Sequence, residues 1–237
     1  MTRRRWIADE VLGNHAVLVG PHADHLSRVL RARIGQEFDI ASGDVIRLGR
    51  ITAITPERVE FELGAEISVP VTVQVTLVLS VFKFDRMEWA IEKCTELGAA
   101  RIIPVIARRT ETHLAAAVRK RVQRWRRIAL QAAEQSRRTS PPEISQPSKL
   151  KDAAVLPGSL RILLSENESN FMLRDVLHSR SNDGDVVLAL GPEGGWTDEE
   201  LELFQEAGWI SASLGTTILR AETAAIAATA IVHSELA

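Results

Sequence analysis

Residues 186–200 read VVLALGPEGGWTDEE, which is an apolar run, then a glycine-rich loop, then the start of a helix. The uninterrupted apolar run 186–190 predicts a strand buried on both faces, as in a parallel sheet. Thr197 and Glu200 have the spacing of a capping box, which predicts that a helix begins directly after the loop. Because α/β folds bind ligands at the carboxyl ends of parallel strands, this loop is a candidate ligand site.

The same alternation of strand and helix extends along the chain on both sides of this stretch. Further buried strands are predicted at 71–81, 101–106, 161–164 and 210–214. A helix is predicted over 86–97. A longer helix has its apolar stripe at Leu114, Val118, Val122, Trp125, Ala129 and Ala132. This order predicts an α/β domain with a parallel sheet over residues 71–237.

Residues 1–70 follow a different pattern and predict a small β-rich unit. Its short strands are predicted at 16–19, 38–40, 45–54 and 59–63. His22–Ala32 places Leu26, Val29 and Leu30 at helical spacing, which predicts one helix. Val69-Pro70 is the expected hinge, so we divide the chain after residue 70.

Composition excludes several classes of protein. The 237 residues are 45% hydrophobic, which is enough for a full core. The single cysteine, Cys94, excludes an intramolecular disulfide and a cysteine-rich metal site, and the scattered histidines give no metal-ligand spacing. No apolar run approaches the roughly 18 residues of a membrane helix, and the N-terminus lacks the apolar stretch of a secretory signal. We therefore expect a cytoplasmic protein with no metal and no membrane association.

The charges are distributed unevenly along the chain. Residues 101–138 contain eleven Arg or Lys residues and two acidic ones, whereas residues 165–237 contain three basic and thirteen acidic ones. Such asymmetry favours a surface that faces a polyanion such as RNA. The alternative, about equally favoured for a basic run taken alone, is a solvated helix face.

The glycine-rich loop does not have the features of a phosphate loop. No Lys-Ser/Thr pair follows the glycines, the G-x-G-x-x-G spacing is absent, and Glu193 places a carboxylate where a phosphate would bind. A carboxylate suits a cationic or hydrogen-bond-donating ligand, and S-adenosyl-L-methionine has a sulfonium, an ammonium and hydroxyl groups. A tight β–α turn without a ligand is the alternative.

Two more predicted strands end in polar residues. Residues 214–225 read LGTTILRAETAA, in which Arg220, Glu222 and Thr223 interrupt an apolar segment. Glu222 is explained equally well as a complement to the helix dipole, whereas Arg220 can pair with Glu193 or Glu222 or face a substrate. Glu166 follows the strand that ends at Leu164. Three polar strand ends can converge on one pocket.

These motifs resemble a known family. GPEGG at 191–195 with LGTTILRAETA at 214–224 resembles the signature of the RsmE family, the small-subunit (16S) ribosomal RNA uridine-N3 methyltransferases of the SPOUT superfamily. Residues 25–31, 83–98 and 134–144 match further family blocks, so the resemblance spans essentially the whole chain. One departure is Phe84, where the family usually has a small residue.

The resemblance implies a parallel sheet with a C-terminal trefoil knot, a PUA-like β-barrel at the N-terminus, and a homodimer that acts on small-subunit ribosomal RNA or the assembled subunit. The implied cofactor-binding residues are Leu164, Glu166, Gly191, Pro192, Glu193, Gly194, Gly195, Leu214, Gly215, Leu219, Arg220 and Thr223. The implied RNA-binding residues are Arg3, Arg4, Arg5, His25, Arg28, Arg31, Arg119, Lys120, Arg124, Arg127, Arg137 and Arg138.

Methylation at uracil N3 requires removal of the N3 proton and stabilisation of the developing anion. The candidates are Arg220 for the anion and Glu222 or Glu193 for the proton, and the sequence does not choose between the two carboxylates. The helix that starts at Glu222 is apolar nearly all round, which predicts burial at a dimer interface or against the protein's own sheet. A non-catalytic RNA-binding or ribosome-assembly factor is the second functional hypothesis, and a nucleotide-dependent enzyme is the third. Complete ligand loops disfavour the former, and the missing phosphate motifs disfavour the latter.

Overall fold

A computed structural model of the chain describes residues 4–43, 45–67, 73–179 and 184–236. These residues form two compact units. The first unit contains the described residues up to 67 together with 133–141, and the second contains the remainder. The grouping of 133–141 with the first unit was not foreseen from the sequence. The predicted hinge at 69–70 lies outside the described residues.

The first unit is built on a six-stranded sheet with the order β1-β4-β5-β6-β3-β2. Its strands are β1 (Arg5–Ile7), β2 (Glu10–Leu12), β3 (His15–Val19), β4 (Glu37–Ser42), β5 (Val45–Ile54) and β6 (Arg58–Ile67). Only the β1–β4 pair is parallel among these described strands. Leu18, Phe38 and Phe61 lie in its buried core.

The single helix predicted over 22–32 is wrong in part. A short helix α1 (Gly20–Asp24) begins earlier, with Pro21 in its first turn, and continues into one π-helical turn (His25–Val29). This wider turn breaks the predicted apolar stripe, because Leu26 is buried while Val29 is exposed. The segment ends before Arg31, whose φ of 51° is left-handed.

The second unit is built on a parallel sheet with the order β10-β8-β7-β12-β11-β13, in which β9 pairs with β8. Its strands are β7 (Val75–Ser80), β8 (Arg101–Ile106), β9 (Glu143–Ile144), β10 (Ser148–Lys149), β11 (Leu160–Leu164), β12 (Val186–Leu190) and β13 (Ile210–Ala212). Its helices are α2 (Phe84–Glu96), α3 (Thr112–Gln135, of which 133–135 are grouped with the first unit), α4 (Leu150–Ala154), α5 (Leu173–His178), α6 (Asp198–Glu206) and α7 (Ala221–Leu236). The prediction of a mixed α/β fold with a parallel sheet is confirmed.

Helices cover both faces of this sheet. Successive residues of a strand point to opposite faces. Accordingly Leu188 and Leu190 pack with α2, α3, α5 and α7, whereas Val187 and Ala189 pack with α4 and α6. This double cover explains why the strands are continuous apolar runs. Among the described residues, no helix combines the length and the apolar character that a membrane crossing requires.

The predicted apolar stripe of α3 is confirmed, since all six of its residues are buried. β13 is shorter than predicted and ends at Ala212. The Ser213 hydroxyl group donates a hydrogen bond to the carbonyl of Gly215 and accepts one from its N–H. These bonds turn the chain, so that Leu214 follows the strand and does not extend it.

Candidate ligand-binding site

Three loops at the carboxyl ends of β11, β12 and β13 surround one cavity of about 380 Å³. That volume lies within the ordinary range for small-molecule sites. The lining residues are Lys83, Arg86, Leu164, Ser165, Glu166, Asn167, Leu190, Gly191, Pro192, Glu193, Gly195, Trp196, Ser213, Leu214, Gly215, Thr217, Ile218, Leu219, Arg220, Ala221 and Ala224. The three polar strand ends, which can converge on one pocket, are brought together in the structure.

The glycine-rich loop after β12 makes a tight turn. The N–H of Gly195 donates to the carbonyl of Pro192 at 2.9 Å, and the φ of Gly195 is 70°. A Cβ at this residue would lie 3.0 Å from Oε1 of Glu166, so both backbone and neighbour require glycine here. The Thr197–Glu200 capping box is present as predicted and fixes the start of α6.

Hydrogen bonds between this loop and neighbouring segments hold it in place. Arg109, in the loop between β8 and α3, donates to the carbonyl of Gly194 at 2.7 Å and to that of Trp196 at 3.1 Å. The Trp196 indole donates to the carbonyl of Leu164 at the end of β11. The buried Glu200 carboxylate accepts from the backbone N–H of Arg108 at 2.7 Å. The loop is therefore fixed before a ligand arrives.

The loop after β13 presents a different wall. Ile218, at 81% exposure, and Arg220 both line the cavity. Arg220 is exposed, and within the described parts of the chain it has no ion-pair partner. Of the alternatives left open for Arg220, the structure shows neither the pair with Glu193 nor the pair with Glu222, because another arginine occupies that place. Its position in the cavity lining agrees with the third alternative, in which it faces a substrate.

That residue is Arg86, in the first turn of α2, which was not predicted from the sequence. Its Nη1 lies 2.8 Å from Oε1 of Glu193, and its Nε lies 3.7 Å from Oε1 of Glu222. Lys83 lies 3.9 Å from Glu193. The available signal was an arginine at a helix N-terminus, where a positive charge is unfavourable unless something compensates it.

All but two of the predicted cofactor-binding residues line the cavity. Gly194 packs against the Arg109 side chain instead. Thr223 lies in a separate groove with Trp89, Lys93, Glu96, Leu97 and Ile226. Glu222, a predicted catalytic residue, is also absent from the lining and is only 3% exposed.

Phe84, the departure from the family pattern, leaves the local turn intact. It is the first residue of α2. Its ring makes an edge contact with Trp125, and the Arg121 guanidinium lies 4.7 Å from the ring centroid. The Phe84 side chain, larger than the residue usual in the family, therefore packs between α2 and α3.

The predicted RNA-binding residues of α3 fall into two groups. Arg124 makes a bidentate pair with Glu88 of α2, with distances of 2.7 and 2.8 Å. Arg119, Lys120 and Arg127 are exposed and have no partner among the described residues. Of these two groups, the second presents charge to solvent that no described residue compensates.

The predicted RNA-binding residues of the first unit also differ in their contacts. The guanidinium of Arg5 donates to the carbonyl of Arg137, and Arg28 pairs with Asp24 at 2.9 Å. Arg4, His25, Arg31 and Arg137 are exposed, Arg138 is partly buried with its pKa lowered by that burial, and Arg3 lies outside the described residues.

A second histidine of the first unit is held between two carboxylates. Nε2 of His22 lies 2.7 Å from Oε1 of Glu134, and Nδ1 lies 3.1 Å from Oδ2 of Asp9. These contacts, Glu134 above all, raise the pKa of His22 to about 9 although burial opposes the charge. The imidazolium therefore links Glu134 to α1 and to Asp9, which lies between β1 and β2.

No group of three or more His, Cys, Asp or Glu side chains within the described ranges is arranged to hold a metal ion. The parallel sheet and the pocket at its strand ends define an α/β enzyme domain. Residues 69–233 match the family described as RNA methyltransferase domain. The chain belongs to this family and is a methyltransferase.

Relatives and solved structures agree with this assignment. The chain is 32% identical over 217 residues to ribosomal RNA small subunit methyltransferase E of Rickettsia conorii, covering 90% of this chain and 86% of that protein. It is 33% identical over 229 residues to the protein of the same name from Mycobacterium bovis, covering 91% and 85%. A crystal structure of ribosomal RNA small subunit methyltransferase E from Neisseria gonorrhoeae bound to S-adenosyl methionine matches with a TM-score of 0.82 and 30% identity, covering 98% and 97% of the two chains.

Proposed function

We propose that this methyltransferase transfers a methyl group from S-adenosyl-L-methionine to N3 of a uridine in small-subunit ribosomal RNA, in the cytoplasm. The observation that carries the proposal is the cavity formed by three strand-end loops, one of which contains GPEGG without a phosphate-binding lysine. The names of the relatives support small-subunit ribosomal RNA as the substrate, and the RsmE resemblance supports N3 of uridine as the methylated atom.

The residues of the cavity fit this cofactor. Glu166 and Glu193 offer carboxylate oxygens to an ammonium, a sulfonium or hydroxyl groups. Leu164, Leu214 and Leu219 offer apolar surface to the adenine ring. Gly195 leaves open the space that a Cβ would fill. When bound, S-adenosyl-L-methionine supplies an electrophilic methyl group on its sulfur.

Two residues of the chain handle the charges on the target base. The Glu193 carboxylate accepts the proton from uracil N3, because it lines the cavity and is 30% exposed. Glu222 does not take this role, since it is buried and does not line the cavity. The guanidinium of Arg220, which has no ion-pair partner among the described residues, stabilises the negative charge that develops on the uracil carbonyls. The loops around them exclude water and align the base.

The target uridine must be unpaired or flipped out, because N3 lies on the Watson–Crick edge. Arg119, Lys120 and Arg127 of α3 bind flanking phosphates, and the first unit, a PUA-like domain in this proposal, adds His25 and Arg31. The naked RNA and the assembled small subunit are the two candidate forms of the substrate.

The proposal includes the homodimer and the trefoil knot of the family. One face of α7 packs against the sheet and α2, which accounts for part of its apolar character. Another part faces the groove lined by Trp89, Thr223 and Ile226, and Trp89 is 49% exposed. We place the partner copy on this groove. Light scattering that showed a monomer would contradict the dimer.

Reverse transcription tests the proposed product. A methyl group at N3 removes the donor needed for pairing, so reverse transcriptase stalls at the site. Ribosomal RNA from cells lacking the protein should lose one stop, and enzyme with S-adenosyl-L-methionine should restore it. Mass spectrometry that located the methyl group on another atom would contradict the N3 assignment and leave the methyltransferase unchanged.

A further inference from the structure

Arg86, in the first turn of α2, lies between two carboxylates: Glu193 in the loop after β12 and Glu222 at the start of α7. The side chain of Arg86 is 31% exposed, that of Glu193 is 30% exposed and that of Glu222 is 4% exposed. Arg86 and Glu193 line the cavity, and Glu222 does not. The guanidinium therefore connects a buried carboxylate at the start of α7 to a half-buried carboxylate in the cavity wall.

The simplest role for Arg86 would be to neutralise Glu222. The carboxylate of Glu222 is buried, and its Oε2 has no hydrogen-bond partner within the described residues. An uncompensated buried charge is unfavourable, so this contact must stabilise the fold. However, the shorter contact of Arg86 is with Glu193, at 2.8 Å against 3.7 Å for Glu222. Neutralisation alone does not require that hydrogen bond.

The hydrogen bond to Glu193 fixes the direction of a side chain that would otherwise rotate. Glu193 lies in a loop that is held by Arg109, which donates to the carbonyls of Gly194 and Trp196, and by the Trp196 indole, which donates to Leu164 of β11. The side chain of Glu193 itself extends from this loop. Among the described residues Arg86 is its closest cation, and Lys83 lies 3.9 Å away. A planar guanidinium can hold two carboxylates in defined directions, whereas an ammonium acts as a point charge.

We propose that Arg86 is a positioning residue of the methyltransferase site: Glu222 anchors its guanidinium, and the guanidinium orients Glu193 toward the ligand and the uracil proton. This inference rests on the proposed function and adds a residue to it. It also gives Glu222 a role as an anchor in place of a proton acceptor.

The test separates positioning from charge neutralisation with two variants. Arg86→Met alone leaves Glu222 uncompensated and should lower the Tm by roughly 5 °C or more. Arg86→Met combined with Glu222→Gln removes the buried charge and should restore the Tm to near the wild-type value. The double variant should still have kcat reduced about tenfold or more, because Glu193 has lost its donor. Arg86→Lys keeps a positive charge and should likewise keep the Tm while kcat falls.

The readouts are thermal melting, calorimetry with S-adenosylhomocysteine, and methylation of small subunits from cells that lack the enzyme. Arg174→Met, on the surface of α5, is the matched control and should leave all three readouts unchanged. A double variant with both wild-type Tm and wild-type kcat would show that Arg86 only neutralises Glu222, and the inference would be wrong. Failure of the wild-type protein to bind S-adenosylhomocysteine would instead overturn the proposed function, and this inference with it.

Discussion

The loops after β12 and β13 form two walls of one cavity and are held in different ways. The first is fixed by Arg109, by the Trp196 indole and by the capping box of α6. In the second, the hydrogen bonds of residues 215–220 that the structure describes remain within the segment 213–224, and Ile218 is almost fully exposed. A fixed wall suits a ligand of constant shape, and an adaptable wall suits a base that must enter and leave.

The largest effect is expected from a side chain in the fixed wall. Gly195→Val places a β-branched residue at a φ of 70° and directs its Cβ to within 3.0 Å of Glu166. Calorimetry should show the affinity for S-adenosylhomocysteine reduced about a hundredfold or more, since backbone strain and the filled space both oppose binding. Gly215→Ala is the control in the adaptable wall: its φ is 136°, but its Cβ would lie more than 4 Å from the surrounding atoms of the described residues. Equal reductions in the two variants would contradict the distinction between the walls.

A smaller effect is expected when Arg109, which holds two carbonyls of the fixed wall, is replaced. Arg109→Ala deletes two hydrogen bonds to loop carbonyls and should weaken S-adenosylhomocysteine binding about tenfold, with little change in Tm. Arg108→Ala is the neighbouring control, because its side chain pairs with the exposed Glu199 at 3.3 Å and its backbone N–H remains available to Glu200. If the two alanine variants bound S-adenosylhomocysteine equally well, the hydrogen bonds of Arg109 would have no role in affinity.

The basic residues of α3 differ in a similar way, since Arg124 is held in an ion pair whereas Arg119, Lys120 and Arg127 have no partner among the described residues. Replacement of Arg119, Lys120 and Arg127 by alanine should reduce the slope of log affinity for RNA against log salt by about 0.7 to 0.9 for each phosphate that the variant no longer neutralises. Arg124→Ala should change the slope less, since its charge is already paired with Glu88. An unchanged slope in the triple variant would mean that this face of α3 is merely solvated.

The smallest effect concerns stability and lies in the first unit. The pKa of His22 is raised from 6.5 to about 9, so its contribution to stability is fully present below pH 6.5 and is lost as the pH rises through about 9. Melting followed by circular dichroism should show that His22→Gln removes this decline between pH 6.5 and 9. His25→Gln, at an exposed neighbouring histidine, should retain it. A wild-type decline that survives in His22→Gln would have another cause.

The local features of the fold were predictable from sequence because each depends on neighbours in the chain. The capping box needs only Thr197 and Glu200, the strand β12 needs only its apolar run, and the stripe of α3 needs only helical spacing. The prediction of a single helix over 22–32 was wrong because one π-helical turn displaces Val29 from the core. This turn depends on packing and not on the local pattern.

The contacts of the site were less predictable because they join distant residues. Arg86, Glu193 and Glu222 meet only after β7, β12 and β13 are aligned, and nothing in the local pattern ranks Arg86 above Arg220 as the partner of Glu193. Arg109 was counted among the basic residues of 101–138, but its contacts are with carbonyls of the protein's own loop. The sequence therefore predicts at which edge of the sheet the site residues lie. The structure is needed to show which side chains contact each other.

The indole of Trp196 has a further consequence for anyone who works with this enzyme in solution. Its ring lies in the cavity wall, almost fully shielded from solvent, with its N–H bonded to the carbonyl of Leu164. A molecule that enters the cavity changes the polarity around a fluorophore that is already fixed in place. Occupancy can thus be followed by intrinsic emission without any label. Trp196→Phe provides the blank against which the other four tryptophans of the chain are subtracted.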